Sequence, residues 1–333
     1  MRAATRRRYG PPEVLAIEQI DRPSARDNEV LVRVHASSVT SGDVRLREFK
    51  GAGVFWLPLR LMFGMLRPRK PVPGMEFAGC IEAVGETVTS LRKGDAVFGM
   101  TLGGANAEYV TVREDVAITL RPGNLSDTAA AAIPFGAMSA LAFLRDIVRI
   151  RGGEKLLIHG ASGAVGVAAV QLAKHFGAEV TAVCSSANLE LVRSLGADHV
   201  IDYTTTDFTR ASATYDVILD TVGGTRFGDC ARVLTANGRH VFVNSQLTQL
   251  LQMMWTSLRR GQRVICGFTS SSSKADIEQI KLLVENGVLK PVVDRVYELD
   301  QIAAAHRYVD SGRKRGSVIV KISDRPVAST LRL

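Results

Sequence analysis

The sequence predicts an α/β protein of two domains, one a doubly wound parallel sheet and the other largely β. Three observations predict it. The chain has 333 residues, beyond the roughly 250–300 at which single cores stop growing. From Lys155 onward apolar strand-like runs alternate with helical ones, the pattern of a parallel sheet covered on both faces. Between the first such strand and the first such helix lies HGASGAVGVAAVQLAK, His159 to Lys174, with Gly160, Gly163 and Gly166 close together.

From about Glu13 to Val116 the short alternating segments EVLVRVHASSV, AGCIEAVGETV, GDAVFGM and AEYVTV, separated by Gly, Pro and Asp, predict an all-β module with functional loops. The most apolar stretch, Val54 to Leu66, is broken by Pro58 and Arg60 and falls short of the ~20 residues a membrane-spanning helix needs. It is expected to be core or a buried loop, with a pocket wall or an interfacial contact as the alternative. At Ser126 the pattern turns helical: SDTAAAAIPFGAMSALAFLRD has a Ser N-cap, an alanine-rich body and a break at Pro134. The strand KLLIHG, the helix AVGVAAVQLAKHFG, the strand EVTAVCS, the helix NLELVRSLG and the strands HVIDY and YDVILDTVGG follow. A helix through CARVLTANG and the strands RHVFVNS and QRVICGF complete the second domain, with QRVICGF expected at the sheet edge. After Phe268 come a serine run read as a loop, the helix ADIEQIKLLVENG, a strand around VVDRVY, the helix DQIAAAHRYVDSG and the strand SVIVKI. This tail is assigned back to the first domain, so the expected division is 1–123, 124–267 and 268–333.

With 46% hydrophobic and 23% charged residues the composition is that of a folded protein rather than a disordered one. The net charge of +9 comes in short bursts, Arg6 to Arg8, Arg67 to Lys70, Arg259 to Arg263 and Arg313 to Arg315. That distribution favours solvated surface over a nucleic-acid patch, with anionic substrates or cofactors as a milder reading. Cys80, Cys184, Cys230 and Cys266 lie far apart with no C-x-x-C pair, so neither a disulfide framework nor a cysteine-rich zinc lobe is indicated. No apolar run follows the basic N-terminus, which excludes a secretory signal and leaves a cytoplasmic location as the expectation.

In the G-x-G-x-x-G register Ala161 takes the first position, Gly163 the second and Gly166 the third, with Gly160 just ahead. A bare Gly163 lets backbone approach a pyrophosphate, Gly166 lets the helix pack close to the sheet, and the helix N-terminus presents N–H groups to phosphate. The next strand ends in Cys184, Ser185, Ser186 and Ala187, with no carboxylate for a ribose 2′-hydroxyl. Small hydroxyl residues leave room for a 2′-phosphate, so NADPH is the expected cofactor.

The segments YGPPEVL, PGMEFAGCIEAVG, LRKGDAVFG, AAAAIPFGAMSALAFL, GASGAVGVAAVQLAK, LGADHVIDY, YDVILDTVGG and ENGVLKPVVDRVYELDQIAAAHRYVDSG stand in order over nearly the whole chain. They resemble the zinc-independent quinone oxidoreductase-like branch of the medium-chain dehydrogenase/reductase superfamily. The resemblance implies a GroES-like β-barrel domain built from both chain ends, a Rossmann domain between them and a cofactor in the cleft. By position it implies Ser162, Gly163, Ala164 and Val165 along the pyrophosphate, Ser185 and Tyr203 near the 2′-phosphate, Val222, Gly223 and Asn244 beside the adenosine or ribose, and Ser139 at the nicotinamide amide. The lysine that often grips the phosphate is absent; Ala187-Asn188 stands there and Arg193 is the nearest cation. The resemblance and the apolar strand QRVICGF together imply a homodimer.

Zinc-dependent relatives carry a C-x-x-D turn, a G-H-E motif and a third cysteine; here those places read Thr40-Ser41-Gly42-Asp43, Gly74-Met75-Glu76 and Phe135. Neither these residues nor the six histidines offer a zinc site. Without a Lewis acid to hold an alkoxide, the expected acceptor is a quinone or the β-carbon of an α,β-unsaturated carbonyl, whose developing charge a few donors can stabilise. Thr40 and Ser139 are the candidate donors, with Arg45 in addition, and Asp43 and Glu76 are expected to be structural. Trp56 and Phe63 would favour a small apolar acceptor if they line the pocket. The alternatives are an NADPH-binding adaptor or nucleic-acid binder with little turnover, and an alcohol dehydrogenase-like enzyme.

Overall fold

The computed structural model describes residues 1–49, 56–267 and 273–323. β1 (Arg2–Arg6) and β2 (Leu15–Gln19) form an antiparallel pair. β3 (Glu29–Val39), the short helices α1 (Ser41–Glu48) and α2 (Trp56–Phe63), and β4 (Glu76–Val84), β5 (Ala96–Met100), β6 (Tyr109–Arg113) and β7 (Ile118–Leu120) follow. In β3, Val30, Val32 and Val34 point to one face and are fully buried, the period-2 pattern of a half-buried strand. They meet Phe77, Ile81, Val97 and Val110 in the core of this β module.

α3 (Asp127–Ala130) is capped by Ser126, whose hydroxyl accepts from the Ala129 N–H at 3.2 Å. α4 (Pro134–Leu141) starts on its proline, which has no N–H to waste in the first turn. It runs on as a π-helical segment, Ala142–Val148, ended by Arg149 at φ 53°. The run Asp127–Val148 is long and apolar enough to cross a membrane by composition, but 78% of its apolar eighteen-residue window is buried, as in a core helix.

Alternating elements follow: β8 (Lys155–His159), α5 (Ala164–His175), β9 (Glu179–Cys184), α6 (Leu189–Ser194), β10 (His199–Asp202), β11 (Tyr215–Asp220), α7 (Phe227–Cys230), β12 (Leu234–Phe242), α8 (Leu247–Ser257) and β13 (Arg263–Cys266). Their strands form one parallel sheet in the order β10-β9-β8-β11-β12-β13, with β13 at an edge. The order reverses between β8 and β11, which opens a crevice at the carboxyl ends of those strands. Leu156 and Ile158 bury against α4 and α5 while Leu157 faces the opposite layer with Phe208 and Cys230. Both faces are covered, which is why these strands read as continuous apolar runs.

α9 (Lys274–Glu285), β14 (Val293–Glu298), α10 (Ile302–Asp310) and β15 (Ser317–Lys321) end the described chain. β15 pairs antiparallel with β3 and parallel with β14, giving the second sheet the order β14-β15-β3-β4-β5-β7, with β6 on β3.

Two expectations are corrected. The apolar stretch around residues 54–66 is neither core nor buried loop: α2 lies on the surface, with Leu57, Leu61, Met62 and Met65 exposed, while Val54 lies outside the described residues. It is held there by Arg60, whose guanidinium stacks on Tyr9 at 3.9 Å, Phe49 at 4.6 Å and Trp56 at 5.3 Å. The helix through CARVLTANG stops at Cys230 and a 3₁₀ turn over Ala231–Val233, and LTANG already belongs to β12. Helices α1 and α8 form where the sequence analysis placed no element. The serine run lies mostly outside the described residues; Ser273 is described and caps α9, its hydroxyl accepting from the Asp276 N–H at 3.1 Å.

Candidate active site

The turn between β8 and α5 is built from glycines with different duties. Gly160 takes φ 80°, in the left-handed region, with Thr221 Oγ1 and Val222 Cγ2 2.6 and 2.5 Å from where a Cβ would stand. At Gly166 a Cβ would lie 2.6 Å from the Ala161 carbonyl carbon and 2.7 Å from Ala161 Cα. At Gly163 the nearest atom is 3.6 Å away, so this position is open. Gly163 caps α5 with no side-chain hydrogen bond, leaving the N–H groups of Ala164 and Val165 to meet an anion. Ala161 N–H donates to the Val183 carbonyl at 3.1 Å, and the Ser162 carbonyl accepts from Gly316 N–H at 2.8 Å, tying the turn to the returning C-terminal segment. This open cradle at a helix N-terminus fits a dinucleotide pyrophosphate.

At the end of β9 the structure gathers Ser185, Ser186, Asn188, Asp202 and Tyr203. Asn188 Nδ2 donates to Ser162 Oγ and to Ser185 Oγ, both at 3.1 Å, joining the glycine turn to the strand end. Tyr203 N–H donates to the Cys184 carbonyl at 3.1 Å and its side chain is exposed. Arg193 is exposed and paired with Glu190 one turn away. No acid follows Cys184 at this strand end, and the one acid of β9, Glu179, lies at its other end. Asp202, delivered by the neighbouring β10, nevertheless accepts from the Ser186 hydroxyl and, at 2.7 Å, from the Thr204 hydroxyl. Those bonds hold its carboxyl below the usual range. Parallel pairing of Asp202 with Cys184 is what brings it there, a neighbour invisible from β9 alone.

Asp220, fully buried at the end of β11, organises the next turn. It accepts from the Val222 and Gly223 N–H groups at 2.9 and 2.7 Å, from Thr225 N–H at 3.0 Å, and faces His159 Nδ1 at 3.1 Å. His159 and these donors hold its carboxyl well below its ordinary value despite burial. Asn244 Nδ2 donates to the Thr221 carbonyl at 3.1 Å, and Arg45 of α1 reaches across to the Asn244 side-chain oxygen. The sequence reading did not single out Asp220, although the D-x-x-G spacing is that of a carboxylate receiving the turn N–H groups two and three residues on.

The three positions where relatives hold zinc converge. Around the Cα of Gly42, a Cβ would meet Met75 Sδ at 3.0 Å, Thr40 Oγ1 at 3.3 Å and Phe135 Cε2 at 3.4 Å. Among the described residues there is no cluster of three or more His, Cys, Asp and Glu of ligand type. Thr40 caps α1, accepting from Asp43 N–H at 3.0 Å and donating its hydroxyl proton to Asp43 Oδ2 at 2.7 Å. That proton is therefore engaged, which corrects the expectation of Thr40 as a free donor. Asp43 also accepts from Gly74 N–H at 3.0 Å, and burial raises its pKa. Glu76 accepts from the Ser38 hydroxyl and from Phe135 N–H at 2.6 Å; burial pushes it up to about 7. Lys314, which faces Glu76, is pushed down to about 8 by burial.

Met75, Met100, Leu102, Phe135, Met138 and Ser139 line a cavity of about 640 Å³. Ser139 comes from α4, which lies against the first turn of α5 because Gly136 has no side chain; a Cβ there would stand 2.9 Å from the Ala164 carbonyl carbon. Ser139 thereby lines a largely apolar cavity beside the cradle, whose walls also include Lys70, Thr101 and Arg113. His35 pairs with Asp127 at 3.0 Å and His306 with Arg47 at 3.2 Å, and no histidine is among the residues named as lining this cavity.

Residues 26–122 match the alcohol dehydrogenase GroES-like domain family and residues 195–320 the family described as zinc-binding dehydrogenase. The chain is 31% identical over 328 residues to 2-methylene-furan-3-one reductase of Solanum lycopersicum, covering 94% of this chain and 76% of that one. It is 30% identical over 320 residues to quinone oxidoreductase of Sus scrofa, covering 92% and 93%. Among solved structures, quinone oxidoreductase from Coxiella burnetii superposes with a TM-score of 0.83 at 27% identity, covering 97% of this chain and 99% of that one.

Proposed function

From the premise that this chain belongs to the quinone oxidoreductase-like branch of the medium-chain dehydrogenase/reductase superfamily, we infer that it is a nicotinamide-dependent oxidoreductase that reduces a quinone or an α,β-unsaturated carbonyl. The observation that carries the reading is the pairing of an open glycine cradle at α5 with a largely apolar cavity lined in part by Ser139.

A bound reduced nicotinamide would supply the hydride. Ser162 through Gly166 would hold the pyrophosphate on backbone N–H groups, and Val222, Gly223 and Asn244 would border the ribose and adenosine, their turn shaped by Asp220. Ser139 would donate to the acceptor oxygen as negative charge gathers on it, and the apolar walls exclude water and strengthen that bond. Thr40 and Asp43 hold the N-terminus of α1, so Arg45 can bridge to Asn244 and tie the two sides of the cleft together. A thioether, a phenyl ring and an engaged hydroxyl are no set for zinc, which supports zinc-independent chemistry.

The finer reading is a preference for NADPH. Ser185 and Tyr203 offer donors to a 2′-phosphate, with Asn188 holding the Ser185 hydroxyl oxygen, whereas Asp202 opposes it with a charge already engaged by Ser186 and Thr204. A charge-assisted hydrogen bond contributes about 1.5–3 kcal/mol, and Asp202 brings the expected preference to the lower end, about tenfold. A homodimer is supported by the edge position of β13 and by the exposed stripe Leu247, Leu251, Met254, Trp255 and Leu258 on the adjoining α8. The proposed division remains 1–123 with 268–333, and 124–267, in a cytoplasmic protein.

The test is NADPH oxidation with a panel of quinones and enones, with and without a chelator. Steady turnover of one acceptor class, indifferent to the chelator, is expected. Cofactor binding with no turnover of any acceptor overturns the reading.

A further inference from the structure

A second cavity of about 210 Å³ lies behind the acceptor cavity and shares Met62, Lys70, Met75 and Leu102 with it. Its walls include Leu46, Phe63 and Pro68, and Arg69 and Lys70 stand exposed along it. Arg6, on β1, also lines it. Arg6 is only 6% exposed, yet its Nε and Nη1 have no hydrogen-bond partner. Its backbone N–H donates to the Pro71 carbonyl at 2.8 Å, which fixes the strand against the cavity wall. The carboxylate that faces it, Asp43, already receives Gly74 N–H, Thr40 N–H and the Thr40 hydroxyl. A desolvated guanidinium with unmade hydrogen bonds is costly unless a ligand makes them.

Resting on the reductase reading above, we propose that this cavity is an anion subsite of the acceptor pocket, so that the acceptors are unsaturated carbonyls bearing a carboxylate. Arg6 meets the carboxylate, since a planar guanidinium fork matches a planar carboxylate in two parallel hydrogen bonds. Leu46, Phe63 and Met75 hold the apolar body, and the unbranched side chains of Met62 and Met75 adjust to let it pass from one cavity to the other. Arg69 and Lys70 draw the anion in from solvent.

The test compares trans-3-benzoylacrylate with its ethyl ester in NADPH oxidation by wild type, Arg6→Met and Lys70→Ala. The ratio of kcat/KM for acid over ester cancels the different electrophilicity of the two when variants are compared. In Arg6→Met that ratio falls about tenfold or more, as expected for loss of a charge-assisted bond. In Lys70→Ala it falls about twofold to fivefold and loses part of its salt dependence. An unchanged ratio in folded Arg6→Met overturns the proposal; if that variant does not fold, an unchanged ratio in Lys70→Ala does so. Binding of 4-oxo-4-phenylbutanoate, followed by calorimetry on the wild-type protein and on Lys70→Ala, separates the two inferences. If neither acid nor ester, nor any quinone or enone of the panel above, is turned over the reductase reading fails, while saturable binding weakened in the variant supports the subsite and absence of binding overturns it.

Discussion

Replacing Gly166 and Gly163 by alanine, one at a time, separates the packing duty of the glycine turn from its ligand duty. At Gly166 the added Cβ would stand 2.6 and 2.7 Å from Ala161 backbone atoms and closer still to the Gly160 carbonyl oxygen. These are backbone atoms of a turn fixed by the Ala161 and Gly160 bonds to Val183, so no side chain can swing aside. Overpacking costs about 1–3 kcal/mol, and a rigid neighbour places this case at about 3. With about 2–4 °C per kcal/mol for a domain of this size, the unfolding midpoint should drop by about 6–12 °C. Gly163 has its nearest atom at 3.6 Å and a φ of −76° that alanine adopts readily. Its variant should lose about 1 kcal/mol or less, the cost of a poorer N-cap, but bind NADPH at least tenfold more weakly because the methyl group stands where phosphate must approach. Thermal unfolding of the apoprotein and fluorescence titration with NADPH read the two effects. Equal midpoints for the two variants, or tight NADPH binding by Gly163→Ala, would refute the assignment of duties.

Metal analysis of the purified protein should find no stoichiometric zinc, because Thr40, Met75 and Phe135 fill the point where ligands would meet; one tightly held zinc per chain refutes this. Glu76 has its pKa raised to about 7 by burial, with Asp43 raising it and Lys314 lowering it, so its contribution is full below about pH 4.5 and is lost as pH rises through 7. Glu76→Gln, which can keep partners on Ser38 and Phe135, should therefore gain stability relative to wild type between about pH 5 and 8; parallel stability curves count against it. Ser185→Asp should weaken NADPH binding by about tenfold to a hundredfold more than NADH binding, and Asp202→Asn should strengthen NADPH selectively; equal effects on the two cofactors would discard this reading of the strand end. Light scattering at micromolar concentration should give twice the 36.0 kDa chain mass, and Leu258→Glu on the exposed stripe of α8 should shift that to the monomer, whereas a wild-type monomer removes the dimer.

Much of the fold was written locally. The period-2 valines of β3 and the alternation of Leu156, Leu157 and Ile158 carry their own burial pattern, because a strand sorts its side chains between two faces with no help from distant residues. The glycine turn was legible for the same reason, since the positions that cannot bear a Cβ are set by backbone conformation within one short segment. So was the cap at Ser126, where the side chain that satisfies the helix is three residues away from the N–H whose bond it accepts. Where the sequence pattern misled, distance in the chain was the cause. α2 is apolar yet exposed, because Tyr9 and Phe49 hold it on the surface through Arg60. Asp202 stands beside Ser186 because parallel pairing aligns two strand ends, Cys184 and Asp202, eighteen residues apart. The loss of Thr40 as a free donor follows from Asp43, which only helix formation turns back onto it. Arg6 reads in sequence as one of three surface arginines; burial of β1 against the segment leading to Pro73 makes it a buried cation lining a cavity. Local sterics and periodicity are properties of the chain, whereas desolvation and unmade hydrogen bonds exist only once remote segments are packed together.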